Sequence, residues 1–237
     1  MKNIFLTALI VTPMIANADN WSTPTGATPS GLTIASREEL GIPEQLKKEE
    51  IIRSQAMEQQ GYVEVENRYA RYLLGLMRRA PAEIKSYRGT ANVGDTHLKK
   101  TADEIKLSFD FKAIPVDSKN IIGYAPIGGY IKTPREGWTG IKTFFDGKDL
   151  GICAYEYTDL ALSHGAVLME KKSIKYYVNN KPAFVSAEGN RSSGYSYSVT
   201  WYNNIKVSRL DCATQTFQKG LTDKMMALAK KIDFTIF

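Results

Sequence analysis

The spacing of apolar positions changes character twice along the chain. Between 43 and 60 the composition is Glu, Gln, Lys and Met with few apolar positions, and Gly61 follows. These are good helix formers, and the glycine punctuates the end. Beyond it, Tyr62, Val65, Tyr69, Leu73 and Leu76 recur at intervals of 3, 4, 4 and 3. That spacing is one face of a helix and predicts helix over 62–79. Arg68, Arg71, Arg78 and Arg79 decorate it, and Pro81 ends it. Upstream, Ser36-Arg37-Glu38-Glu39 has the spacing of a capping box.

After a linker at 86–101 the period shortens to two. Ile105, Leu107, Phe109 and Phe111 alternate with Lys106, Ser108, Asp110 and Lys112, which predicts a strand with one buried face. Short strands are expected at 121–124 and 130–132, separated by Gly128-Gly129. Three hairpins follow from turn pairs between apolar runs. They join 141–145 to 150–157 across Asp146-Gly147, 175–178 to 183–187 across Asn179-Asn180, and 194–201 to 205–210 across Asn203-Asn204. The stretch 159–169 reads equally as a short helix or as a turn and a strand. Phe217, Leu221, Met225 and Leu228 predict a closing helix over 214–231. Helices first, an antiparallel sheet in the middle and a helix at the end make an α+β fold. A helical region spans 37–85, and the antiparallel sheet domain spans 86–237.

The first residues carry an address. Lys2 precedes an apolar run over 4–15, and Ala16-Asn17-Ala18 places small residues where a signal peptidase reads. This predicts a signal peptide over 1–18, too short to span a bilayer, with the mature chain beginning at Asp19. No Cys follows the cleavage site, so a lipid anchor is not indicated. Residues 19–36, rich in Ser, Thr, Pro and Gly, read as an extended arm in which Trp21, Leu32 and Ile34 could dock on a neighbour.

Export changes the reading of charge and cysteine. The chain carries 31 basic and 25 acidic residues, +6, and loses one Lys with the signal. On an exported protein that excess points away from nucleic acid and toward anionic lipid, cell-wall polymer or an acidic protein face. Cys153 and Cys212 are expected to be bridged in an oxidising compartment. No later segment is apolar for long enough to cross a membrane as a helix. The terminal Phe237 is out of phase with a membrane barrel strand, since Thr235 and Asp233 stand two and four positions back.

Motifs for chemistry are sparse. Two histidines, His97 and His164, and two cysteines leave little material for a metal centre, and no cofactor is expected. Gly123-Tyr124-Ala125-Pro126-Ile127-Gly128-Gly129 lacks a phosphate-binding Lys and a following helix, and reads as a turn. A secreted hydrolase or toxin acting on cell wall or host polymer would draw on His164, or on paired carboxylates from Glu156, Asp159 and Glu188. Tyr195, Tyr197 and Trp201 fall on one face of their strand, near Tyr176, Tyr177 and Tyr202. Such a cluster suits a protein interface or a carbohydrate- or peptidoglycan-binding module.

One resemblance rests on the signal without a following Cys, the Thr/Pro/Ser-rich arm, Gln59-Gln60-Gly61-Tyr62-Val63-Glu64 leading into Arg71-Tyr72-Leu73-Leu74-Gly75-Leu76, and the Tyr-rich segment up to Asp211-Cys212. In these features the chain resembles the small periplasmic accessory proteins of type IVB (Dot/Icm-type) secretion systems. The resemblance implies a non-enzymatic building block of an outer-membrane core complex. Such a subunit would sit in the periplasm near the outer membrane, bound in many copies to other protein subunits. From the residues, its expected contacts are Trp21 in the arm, Arg68 and Arg71 on the basic helix, and Tyr195, Tyr197 and Trp201 on the sheet.

Overall fold

The computed structural model describes residues 31–36, 39, 44–76, 97–163 and 165–236. The expected signal peptide, Trp21, Arg78, Arg79 and His164 lie outside them. The elements run β1 (Gly31–Ala35), α1 (Glu44–Gln60), β2 (Val63–Glu64), α2 (Arg68–Leu76), β3 (Ile121–Ile131), β4 (Gly137–Asp146) and β5 (Ile152–Asp159). Then come α3 (Leu160–Ser163), β6 (Ala166–Glu170), β7 (Tyr176–Val178), β8 (Lys181–Asn190), β9 (Gly194–Asn203), β10 (Lys206–Thr214) and α4 (Leu221–Ile236). The fold is α+β, as the order of periodicities predicts.

Asparagines form two of the turns of the second half, between β7 and β8 and between β9 and β10. Asn179, Asn180 and Asn204 adopt φ of 45°, 69° and 53°, left-handed backbone that Asn tolerates better than most residues. The three predicted hairpins form. Their strands make two meanders, β3-β4-β5 and β8-β9-β10, which meet where β5 pairs with β10. The sheet order is β2-β8-β9-β10-β5-β4-β3, with β7 also against β8, while β1 and β6 form a separate parallel pair.

Both faces of the sheet are covered. On one, Tyr195, Tyr197 and Trp201 of β9, with Tyr155, Leu210 and Cys212, pack under Leu221, Met225, Ala229 and Ile232 of α4. On the other, Ala70, Leu73 and Leu76 of α2 sit on Phe144, Ala154 and Ala213. Farther along that face, Phe184, Tyr202 and Val207 are covered by Leu160, Val167 and Met169, with Leu32 of β1 packed beside them.

Several expectations change, each for a local reason. The helix expected over 62–79 begins at Arg68. Asn67 caps it, accepting the Ala70 N–H at 2.8 Å while its own amide donates to Ser196 Oγ at 2.7 Å. Val63 and Glu64 instead pair parallel with β8. The closing helix starts at Leu221, after Gly220; Phe217 lies ahead of it against Tyr62, Tyr195 and Tyr197. β3 is one strand where two were expected, because a bulge at Gly128-Gly129 carries it through. Gly128 has φ +77°, and a Cβ there would come within 2.4 Å of Thr139 Oγ1. The 159–169 stretch contains both alternatives, α3 and then β6. Residues 31–35 of the expected arm pair with β6 of their own chain.

The strand expected over 105–112 does not form. Only Leu107 bridges, to Trp138, where β4 projects past the end of β5. Ser108 N–H donates to Trp138 O and Trp138 N–H to Lys106 O. A few residues of exposed edge leave room for one bridge and no ladder. The capping-box bonds are present: Ser36 N–H donates to Glu39 Oε2 at 2.7 Å, and Glu39 N–H to Ser36 Oγ at 3.3 Å. Among the described residues no helix is long and apolar enough to cross a membrane.

Candidate functional site

The aromatic row is the first candidate, and its placement corrects the expectation. Tyr195, Tyr197 and Trp201 do share a face, but α4 covers it, leaving them 4%, 1% and 1% exposed. Trp201 Nε1 donates to Asp233 Oδ1 at 2.9 Å, and Tyr197 Oη accepts the Gln218 N–H at 2.6 Å. These rings are core, not available to a partner or a sugar. Of the clustered tyrosines and tryptophan, Tyr176 and Tyr177 on the short β7 face solvent. Arg68 and Arg71 lie exposed on α2, where Arg71 pairs with Glu66 at 3.2 Å.

Cys153 and Cys212 are directly opposite on β5 and β10 and are bonded, with Cα atoms 4.0 Å apart. Antiparallel register brings two Cβ atoms that close only in a facing pair. The bond therefore staples the two meanders at their junction. Both residues are buried beneath α4.

The carboxylates expected to support hydrolysis are not brought together. Glu156 projects to the α2 side, while Asp159, an odd number of residues on, falls on the other face. Asp159 Oδ1 accepts the Leu162 N–H at 3.0 Å and caps α3. Glu188 lies three strands from Glu156 and pairs with Arg53 at 2.6 Å. His97 is exposed.

What the sheet does assemble beside α2 is a ladder of alternating charge. Register places Lys142 of β4 opposite Glu156 of β5, and Glu156 opposite Arg209 of β10. Lys142 is ion-paired to Glu156. Arg209 Nε donates to Asp211 Oδ1 at 2.8 Å and its terminal nitrogen to Ser198 Oγ at 3.2 Å, while Ser198 Oγ donates to the same carboxylate oxygen. Tyr69 of α2 lies against this ladder, with Lys142 Nζ 5.1 Å from its ring centroid. Burial, and then the Asp211 charge, push its hydroxyl well above the ordinary tyrosine range. The Asp211 charge pushes the Arg209 guanidinium upward as well, holding it cationic. Two cations and two anions close on one another here, so the ladder fixes α2 on the sheet.

The second candidate lies beyond β3, where the chain over 100–121 leaves an open hollow of about 910 Å³. Its wall is mixed: Ile105, Leu107, Phe109, Phe111, Ile121 and Tyr124 form an apolar stretch, and Lys100, Thr101, Asp103 and Ser118 line it beside them. Phe109, Phe111 and Tyr124 are only half-buried, although Phe109 packs at a tilt on Tyr157 with centroids 5.1 Å apart. Two ion pairs tie this segment to the β3–β4 turn. Lys106 pairs with Glu136, which also accepts the Tyr130 hydroxyl at 2.8 Å, and Arg135 pairs with Asp110 at 2.6 Å. Each carboxyl is held below its usual range by its partner's hydrogen bond and charge. Gly137 lets the segment come this close, since a Cβ there would meet the Leu107 carbonyl carbon at 2.5 Å. A mixed wall with half-exposed rings and a charged rim suits binding of a protein segment.

Sequence reading missed both assemblies for different reasons. The ladder residues occur singly on three strands, and the only available signal was a charge at an inward position of β10. The groove was hidden by the alternation of 105–112, which looked like ordinary sheet. Compared with known proteins, the chain matches no protein-family model, no curated protein and no solved structure.

Proposed function

We propose that the protein is a structural or assembly subunit of a bacterial envelope-spanning secretion complex, held in place by other protein subunits and performing no reaction of its own. The observation that carries this reading is the groove beside β3. Half-buried Phe109, Phe111 and Tyr124 form an apolar patch set among polar and charged lining residues, a mixed composition that suits a protein-docking surface. Exposed Arg68 and Arg71 on α2 add a cationic surface for an anionic neighbour. The Cys153–Cys212 staple suits a chain that works in an oxidising compartment outside the cytoplasm, in keeping with the expected signal peptide. The buried aromatic row removes the support for a sugar-binding module.

The test is gentle membrane solubilisation followed by size measurement. The chain is expected in a particle many times its own 26.5 kDa. Phe111→Asp, with circular dichroism of the purified variant showing it still folded, is expected to leave that particle. A parent chain that runs alone after solubilisation would count against the assembly role.

A further inference from the structure

The groove has one wall with unusual backbone. From 110 to 114 the chain runs without a bend or turn, and no residue there has positive φ. On either side the main chain is bonded, Ser108 N–H to Trp138 O and Val116 N–H to Ile114 O. Between them, the backbone N–H and C=O groups of 109–113 have no hydrogen-bond partner among the described residues. Their side chains nonetheless alternate as in a strand: Phe109, Asp110, Phe111, Lys112, Ala113. A strand-patterned stretch with open main-chain groups beside a hollow is a template for another strand.

The charges identify the strand that fits. In an antiparallel pair related by a two-fold axis normal to the sheet, one residue faces its own copy and the rest pair symmetrically about it. With Phe111 at the axis, Asp110 faces the copy's Lys112 and Lys112 faces its Asp110. With Asp110 or Lys112 at the axis, like charges would meet. Asp110 pairs with Arg135 through Oδ1 at 2.6 Å, but its side chain is 94% exposed and its second carboxylate oxygen can accept from a neighbour; Lys112 is also exposed.

We propose that two copies of this chain pair through 109–113 as antiparallel strands about a two-fold axis at Phe111. The inference rests on the groove being a protein-docking surface and names its occupant as a second copy. Each Asp110–Lys112 pair contributes as a facing cross-strand ion pair, twice per dimer. Phe111 packs on Phe111 at the axis.

The experiment is sedimentation of the purified full chain, disulfide intact, at loadings up to about 100 µM, where a micromolar dimer is saturated. The parent is expected to sediment as a dimer. Asp110→Lys puts two cations opposite each other at both ends of the pairing, and Lys112→Asp puts two anions there. Each variant alone is expected to dissociate at least tenfold more readily than the parent; Lys112→Asp is expected to melt like it, while Asp110→Lys, which also gives up the exposed Arg135 pair, is expected to melt slightly lower yet remain folded. Mixed in equal amounts, the two variants have every charge matched, and a heterodimer is expected to return. A monomeric parent, a dimer indifferent to both substitutions, or variants that fail to associate when mixed would each overturn the pairing. A chain that is monomeric alone yet enters a large particle in cells overturns self-pairing and leaves the assembly role standing. A charge-dependent dimer that joins no larger particle does the reverse.

Discussion

One buried carboxylate ties the last helix to the sheet, and removing it should be costly. Asp233 lies near the end of α4 with a side chain 3% exposed. It accepts from Lys181 Nζ at 2.6 Å, Trp201 Nε1 at 2.9 Å and Asn179 Nδ2 at 3.1 Å. A carboxylate near a helix C-terminus is opposed by the dipole, so its position depends on those three donors. Asp233→Ala takes from Lys181, 19% exposed, its pairing with the Asp233 carboxylate and takes the Asp233 acceptor from a buried indole N–H. Breaking a buried pair costs about 3–5 kcal/mol and an orphaned N–H about 1–3, and the two overlap because they share one carboxylate. About 4 kcal/mol is expected for Asp233→Ala, and about 2 for Asp233→Asn, which keeps an acceptor oxygen but not the charge. Replacing both partners, Lys181→Met with Asp233→Leu, should recover most of the loss, since no buried charge is then stranded. Urea unfolding followed by tryptophan fluorescence reads this out. With a slope of roughly 1–3 kcal/mol per molar urea, Asp233→Ala lowers the midpoint by more than about 1 M. A midpoint within about 0.3 M of the parent would refute the view that this carboxylate bolts α4 down.

Two further outcomes follow from the same interactions. The disulfide closes a sequence separation of 59, so Cys153→Ala with Cys212→Ala should lower stability by about 4 kcal/mol on the chain-entropy account; equal urea midpoints for parent and double variant would contradict it. The rim of the groove should respond to pH at both extremes. Asp110 and Glu136 are held below their ordinary values of 3.8 and 4.5 by Arg135 and Lys106. Their stabilisation is therefore present above those values and lost as pH falls through the lowered folded ones. Lys106, raised above 10.5 first by its hydrogen bond to Glu136, loses its contribution as pH rises through that raised value. Fluorescence of Trp138, which is hydrogen-bonded through its backbone to 106–108, should stay level between about pH 5 and 9 and change outside that window, less so in high salt. A level trace down to about pH 2 would remove the rim pairs from the account.

The fold class was legible because it depends on local signals. Asn179-Asn180 and Asn204 mark turns through backbone preference, the latter one residue on from the expected Asn203-Asn204 pair because Asn203 closes β9, and the alternation around them marks strands; both act over a few residues. Helix boundaries were less legible. Nothing near Asn67 shows that Ser193, Ser196 and Glu188 will surround it, yet those contacts start the helix at Arg68. The segment 105–112 is the clearest case of a misread pattern. Its alternation is that of a strand, but a strand needs a free edge, and β4 offers only a few residues past β5.

For the site the division is sharper. Sequence alone showed that Tyr195, Tyr197 and Trp201 share a face, because period two follows from the backbone. It could not show which face α4 would cover, since amphipathic helix and aromatic strand each accept many partners. Likewise Lys142, Glu156, Arg209 and Asp211 are ordinary charges along the chain, and only strand order and register bring them into one ladder. The sequence determined where the chain turns, where its period changes and that two cysteines were available to join. The tertiary structure decided which edges pair and which faces close, because burial depends on contacts between segments far apart in the chain.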